Sequence, residues 1–172
     1  MTITQSDIEF YLSGGSDNTD PNASLGGAIS STAVQDNTLN NVFDDVSGQE
    51  SQDGDTEYRC IYVKNNHASD TWYNVVVWIS QETPADDQID IGLDPAGVGD
   101  GSTTGVATTI PDESTAPEGV TFSHPLDKAS GLSIGDIPAG QCQAIWLKRI
   151  VPAGTSSYAD NSFQITVEGE TV

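Results

Sequence analysis

The sequence predicts an all-β fold, and three observations carry that prediction. Seventeen Gly, eight Pro and abundant Ser, Thr, Asn and Asp in 172 residues mark frequent turns and leave little room for long helices. The apolar runs are rich in Val, Ile, Trp and Tyr, side chains that fit a pleated surface. Several of those runs alternate with period two and sit at the spacing of antiparallel strands joined by loops.

The elements follow in order. Ile8-Glu9-Phe10-Tyr11-Leu12 alternates as a short strand, with Ile8, Phe10 and Leu12 on one side. Residues 13–22 are almost all turn formers, and Leu25-Gly26-Gly27-Ala28-Ile29 is mildly apolar with glycines that permit close backbone approach. Leu39, Val42, Phe43 and Val46 fall at helical spacing, which predicts one short helix between an Asn37 cap and a Gly48 stop. Thr56 to Asn66, Trp72 to Ile79 and Gln88 to Leu93 read as three strands. The stretch 94–117 is loop-like, and Gly119-Val120-Thr121-Phe122 is a candidate short strand. Cys142 to Val151 is the longest strand candidate, and Ser162 to Glu168 closes the chain with Phe163, Ile165 and Val167 on one face.

This order predicts a Greek-key, immunoglobulin-like antiparallel β-sandwich with an N-terminal arm and at most one short helix. Its body spans residues 51–172, while residues 1–50 form an arm with added strands and the short helix, too light in apolar mass for a second domain.

Charge narrows the function classes. Five Lys plus Arg face twenty-six Asp plus Glu, a formal net charge of −21. Phosphate backbones and anionic membranes require clustered Lys and Arg, so neither nucleic acid nor a membrane surface is expected as a direct partner. The start of the chain lacks the basic and apolar regions of a secretion signal, and no apolar stretch approaches the ~20 residues that span a bilayer.

No constellation for catalysis, cofactor or metal emerges, so an enzyme is not expected. His67 and His124 lie in polar turns with no nucleophile signature nearby. Asp53, Asp55 and Glu57 alternate, and Asp94 and Asp100 flank a Gly-rich turn, but neither stretch has the spacing of a calcium loop. Gly97-Val98-Gly99-Asp100-Gly101 lacks the Lys and following helix of a phosphate loop. Cys60 and Cys142 each sit in a strand-like run; two free, core-type thiols are expected, with pairing between two sheets as the alternative.

The aromatic strands hold the sharpest hint. Tyr73, Val75, Val77 and Ile79 alternate with Trp72, Val76 and Trp78, and Cys142, Ala144 and Trp146 alternate with Ile145 and Leu147. Both faces are therefore apolar, whereas a sandwich buries one face per sheet. The second face needs a cover, either the N-terminal arm or a neighbouring subunit. Candidate interface residues are Leu25, Ile29, Phe43, Trp72, Trp78 and Trp146.

The stretches Leu12–Gly15, Asn22–Ser31, Asp55–Asn65, Ile89–Gly97, Ile145–Arg149 and Val167–Glu170 resemble small virion structural proteins of tailed bacteriophages. The resemblance spans nearly the whole chain, and its motifs are structural. It implies a protein made in the host cytoplasm and built into the virion, most simply a capsid decoration or cement protein. The implied partners are the major capsid protein, other virion proteins and further copies of itself. A tail or neck position is the structural alternative. A carbohydrate- or receptor-binding module, with Trp72-Tyr73 beside Asn74 as its aromatic platform, is the alternative from another class.

Overall fold

A computed structural model describes residues 2–156, 158 and 160–172. Eight strands form two antiparallel sheets. They are β1 (Ile8–Ser13), β2 (Ile29–Ala33), β3 (Asp55–Asn65), β4 (Trp72–Glu82), β5 (Gln88–Leu93), β6 (Leu132–Ile137), β7 (Cys142–Val151) and β8 (Phe163–Glu170). One sheet has the order β2-β1-β3-β7-β5 and the other β6-β4-β8. The neighbours β1-β3-β7-β5 and β4-β8 reproduce the A-B-E-D and C-F pairings of an immunoglobulin-type sandwich. Strands β1 and β2, from the first fifty residues, extend the larger sheet.

The inward rows of both sheets meet in one core. Ile61 and Val63 of β3, Ile145 and Leu147 of β7, and Ile89 and Ile91 of β5 pack against Val75, Val77 and Ile79 of β4. The long β3–β7 ladder, from Asp55 opposite Val151 to Lys64 opposite Cys142, sets which residues face which core.

Four features depart from the expected elements. Residues 37–46 form no helix: Asn37 and Asn40 adopt φ of 54° and 56°, the left-handed region, which interrupts a right-handed helix. Only Val42 and Phe43 of that apolar set are buried, while Leu39 and Val46 are exposed, so the four share no buried face. The helix, α1, instead spans Gly48–Asp53, with Gly48 at its start. Ser47 caps it, its Oγ accepting from Glu50 N at 3.3 Å while Glu50 Oε2 accepts from Ser47 N at 2.6 Å. Residues 119–122 are not a strand, although Ser123 forms one bridge to Ile91. Strand β6 carries Gly135 at φ 89° and a register irregularity against β4, which hides its alternation from the sequence.

Trp72 also changes face. Asn74 takes φ 51°, and the β4 register shifts around it, between Trp72 and Val75 against β6 and between Tyr73 and Val76 against β8. That bulge turns Trp72 into the inter-sheet core beside Val75, rather than outward with Val76 and Trp78.

Candidate functional site

The outer face of the five-stranded sheet carries a second apolar cluster. Tyr58, Cys60 and Tyr62 of β3 and Cys142, Ala144 and Trp146 of β7 are buried there, with Leu25, Ile29, Val120 and Phe122 packed on them. Two stretches of the chain itself make the cover: the arm from Ser13 to Ile29 and the long segment 94–123. The arm is pinned by Ser24, whose Oγ accepts from Ser13 N at 2.7 Å and donates to Cys60 O at 2.9 Å. Arm and segment are laced to each other, Gly27 N donating to Ala107 O at 3.1 Å and Ile110 N to Leu25 O at 3.0 Å. The Tyr62 hydroxyl lies between them, donating to Gly27 O at 2.6 Å and accepting from Ala107 N at 2.8 Å.

Asp94 organises the segment. It is buried, and its Oδ2 accepts from Trp146 Nε1 at 2.9 Å and Thr108 N at 3.0 Å, while Oδ1 accepts from Ala96 N at 2.9 Å. A carboxylate can be buried without a cation when it accepts several such bonds. Read in sequence, Leu93-Asp94-Pro95 looks like an ordinary turn, and nothing in it signals a contact with Trp146, fifty-two positions away.

The candidate interface residues therefore separate. Trp146 is fully buried, and Phe43 and Trp72 are buried in the inter-sheet core. Leu25 and Ile29 are half-buried within the self-made cover. Trp78 alone faces outward, half-buried on the bare side of β4 with Val76. Opposite them on β8 stand Thr166 and Glu168. Because Trp72 is buried, it offers no flat exposed ring for a sugar.

The five basic side chains are all engaged. Lys64 lies over the Tyr11 ring at 5.8 Å, Lys148 pairs with Asp90 at 3.3 Å, and Lys128 pairs with Glu168 at 2.5 Å. Arg59 and Arg149 form a network where the β3–β7 ladder nears the core's edge. Arg149 Nε donates to the buried Glu57 at 2.5 Å and its NH1 to Asp44 O at 2.6 Å, while Arg59 NH2 reaches Glu113 at 2.5 Å. Both guanidinium groups stack on the Phe43 ring, at 4.8 and 5.6 Å from its centroid. Asp44, Glu57 and Glu113 approach one another closely enough to hold a cation, but each is already paired with Arg59 or Arg149. Asp100 is held by its own turn: Ser102 N, Thr103 N and Thr104 N all donate to Oδ1 at 2.7–3.0 Å, and these bonds with the Thr103 hydroxyl keep its carboxyl far below the usual range.

His67 Nδ1 accepts from Asp70 N at 2.9 Å, so this buried ring caps its own turn. His124 is placed differently. Its Nδ1 lies 2.7 Å from Ile89 O and its Nε2 3.1 Å from Glu82 Oε2, at one wall of an open cleft of about 430 Å³ lined by Pro84, Asp87, Gln88 and Leu126. Both ring nitrogens are thus committed to neighbours in the fold. Among the described residues, Ser80 of β4 and Thr83 just beyond it are the hydroxyl side chains that line this cleft.

Cys60 and Cys142 are free and buried. They face the same outer cluster but are offset by four residues along the ladder, since Cys60 opposes Trp146 and Cys142 opposes Lys64. That offset is ~13 Å at strand rise, well beyond the ~7 Å limit for a disulfide. Burial pushes the Cys142 thiol up to about 11 and the Cys60 thiol well above its ordinary value.

Compared with protein-family models, with curated proteins and with solved structures, the chain matches none.

Proposed function

We propose that this chain is a non-enzymatic structural protein of a tailed-bacteriophage virion, attached to the capsid shell as a decoration protein. The observation that supports this reading best is the asymmetry of the two sheets. The five-stranded sheet is covered on both faces by the chain itself, whereas the β6-β4-β8 sheet leaves Val76 and Trp78 half-buried on its outer face, outside either core cluster. A one-sided apolar patch on an otherwise acidic body, whose few basic groups are already engaged, suits a subunit that sits on a larger surface. Many weak copies on a repeating shell gain from multivalency, so a small patch suffices. The acidic remainder, at net −21, faces solvent and repels the packaged polyanion.

The test mixes purified protein with particles that lack it and follows retention on sedimentation. Wild type is retained, and a Trp78→Ser variant that keeps its far-UV spectrum is retained much less. No retention of wild type refutes capsid attachment. Mass spectrometry of intact particles then separates the positions, because copy number on the scale of the shell's subunits fits the capsid and a single ring's worth fits tail or neck.

A further inference from the structure

Four strand edges border the two sheets, and the chain treats them unequally. The β5 edge is closed by a reciprocal bridge, Ile91 N to Ser123 O at 2.8 Å and Ser123 N to Ile91 O at 3.0 Å. The β2 edge is tied by Ser31 N to Ser16 O at 3.2 Å and by the Ser30 and Thr32 hydroxyls, which both donate to Asn18 O. Strand β6 is short and blunted by Gly135 and Asp136. Strand β8 is eight residues long, its ladder with β4 is interrupted twice by register shifts, and among the described residues no backbone group pairs with its side away from β4.

A second observation falls on the same edge. Phe163, Ile165 and Val167 belong to the inter-sheet core yet remain half-buried, whereas Val75, Val77 and Ile79 on neighbouring β4 are fully buried. The difference is what a missing flanking strand produces: the inward row of an edge strand is shielded from one side only. In the immunoglobulin order, the place beside the equivalent of β8 is the one strand G fills.

We propose that the free edge of β8 is a docking site for an extended, basic segment of another protein, which adds antiparallel to β8 as a fourth strand. The unpaired ladder demands an extended backbone, and the half-buried Phe163-Ile165-Val167 row takes an apolar residue at every second position. The outward row is Gln164, Thr166, Glu168 and Glu170. Lys128 is paired to Glu168 and the Asn74 amide to Glu170, but no arginine or lysine beyond Lys128 meets this row among the described residues. Lys or Arg at the partner's alternate positions complements it, and complements a body of net −21. A second copy would bring a further −21 and set one acidic strand beside another, which opposes self-pairing here. The proposal deepens the virion reading by giving the partner's chemistry, but its test contains no virion component and so stands or falls separately.

The probe is a peptide matched in length to β8, alternating Val with Lys and Thr. It is added to the full 172-residue chain at 0.15 M salt while backbone amide exchange is followed residue by residue. With peptide at ten times its Kd, alternate β8 amides slow by about tenfold. The same peptide N-methylated at the alternate amides that face β8, or with Glu in place of Lys, gives no slowing. Unchanged β8 exchange, slowing confined to β6 or to the Trp78 face, or equal binding of the N-methylated peptide overturns the proposal. So does a concentration-dependent dimer that protects β8 without peptide, because that assigns the edge to a second copy.

Discussion

Replacing Asp94 by Ala tests whether a single buried carboxylate holds the long segment 94–123 over Trp146. The side chain accepts three hydrogen bonds, from Trp146 Nε1, Thr108 N and Ala96 N. Ala96 N sits in a surface turn where water can replace the carboxylate. Thr108 N lies half-buried in the cover, and Trp146 Nε1 is fully buried beneath it on β7. A hydrogen bond to a charged group contributes about 1.5–3 kcal/mol, so losing these two costs about 3–6 kcal/mol. For a chain of 172 residues that lowers Tm by roughly 6–24 °C. Asp94→Asn keeps one acceptor for Trp146 and Thr108 and turns an NH2 toward Ala96 N, so it costs about 1–3 kcal/mol. Urea unfolding followed by far-UV circular dichroism measures the loss, and tryptophan emission shifts to the red as Trp146 becomes wet. If the Asp94→Ala midpoint stays within about 0.5 kcal/mol of wild type, the carboxylate is not what secures the cover and the reasoning is wrong.

Gly26 has φ +85°, and a Cβ there would drive into the Thr108 carbonyl oxygen, so Gly26→Ala costs about 2–4 kcal/mol; Gly15→Ala, at φ +97° but with open space around it, costs only about 1 kcal/mol, and equal losses at the two sites would refute the close-approach argument. Arg149→Met leaves the buried Glu57 without its counter-ion and destabilises by about 3–5 kcal/mol, part of which returns in the Arg149→Met, Glu57→Leu double variant; a double variant no better than the single contradicts this. The raised Cys60, Cys142 and Tyr62 groups keep protons in the folded state that the unfolded chain releases above about pH 8.5 for the thiols, so stability falls as pH rises from there toward 11, by at most ~1.4 kcal/mol per pH unit for each group. Urea midpoints between pH 8 and 10.5 show this slope, a Cys60→Ala, Cys142→Ala variant flattens it, and native protein leaves a thiol-reactive dye unconsumed.

Local pattern carried most of the strands. The alternation of Ile8 to Leu12, the apolar runs of β3, β4 and β7, and the clean period of Gln88 to Leu93 identify their elements because neighbouring side chains in a strand report on one face each. Pattern failed where backbone conformation broke its own period. A bulge at Asn74 sends Trp72 to the opposite face from the one its position implies, and left-handed Asn37 and Asn40 dissolve a helical spacing into a loop. Gly135 likewise concealed β6.

The sequence by itself determined that the chain is an all-β sandwich, that two of its strands are apolar on both faces, and that it carries a net charge of −21. Each of these is a property of composition or of near neighbours along the chain. Only the tertiary structure decided what hides the second face: the arm and the segment 94–123 together, joined through Asp94, Tyr62 and Ser24. It also decided that the two cysteines share one sheet, four residues out of register, and that among the described residues nothing pairs with the outer edge of β8. These depend on which distant stretches meet, and such meetings are set by the joint packing of the whole chain, where no local period carries a trace of them.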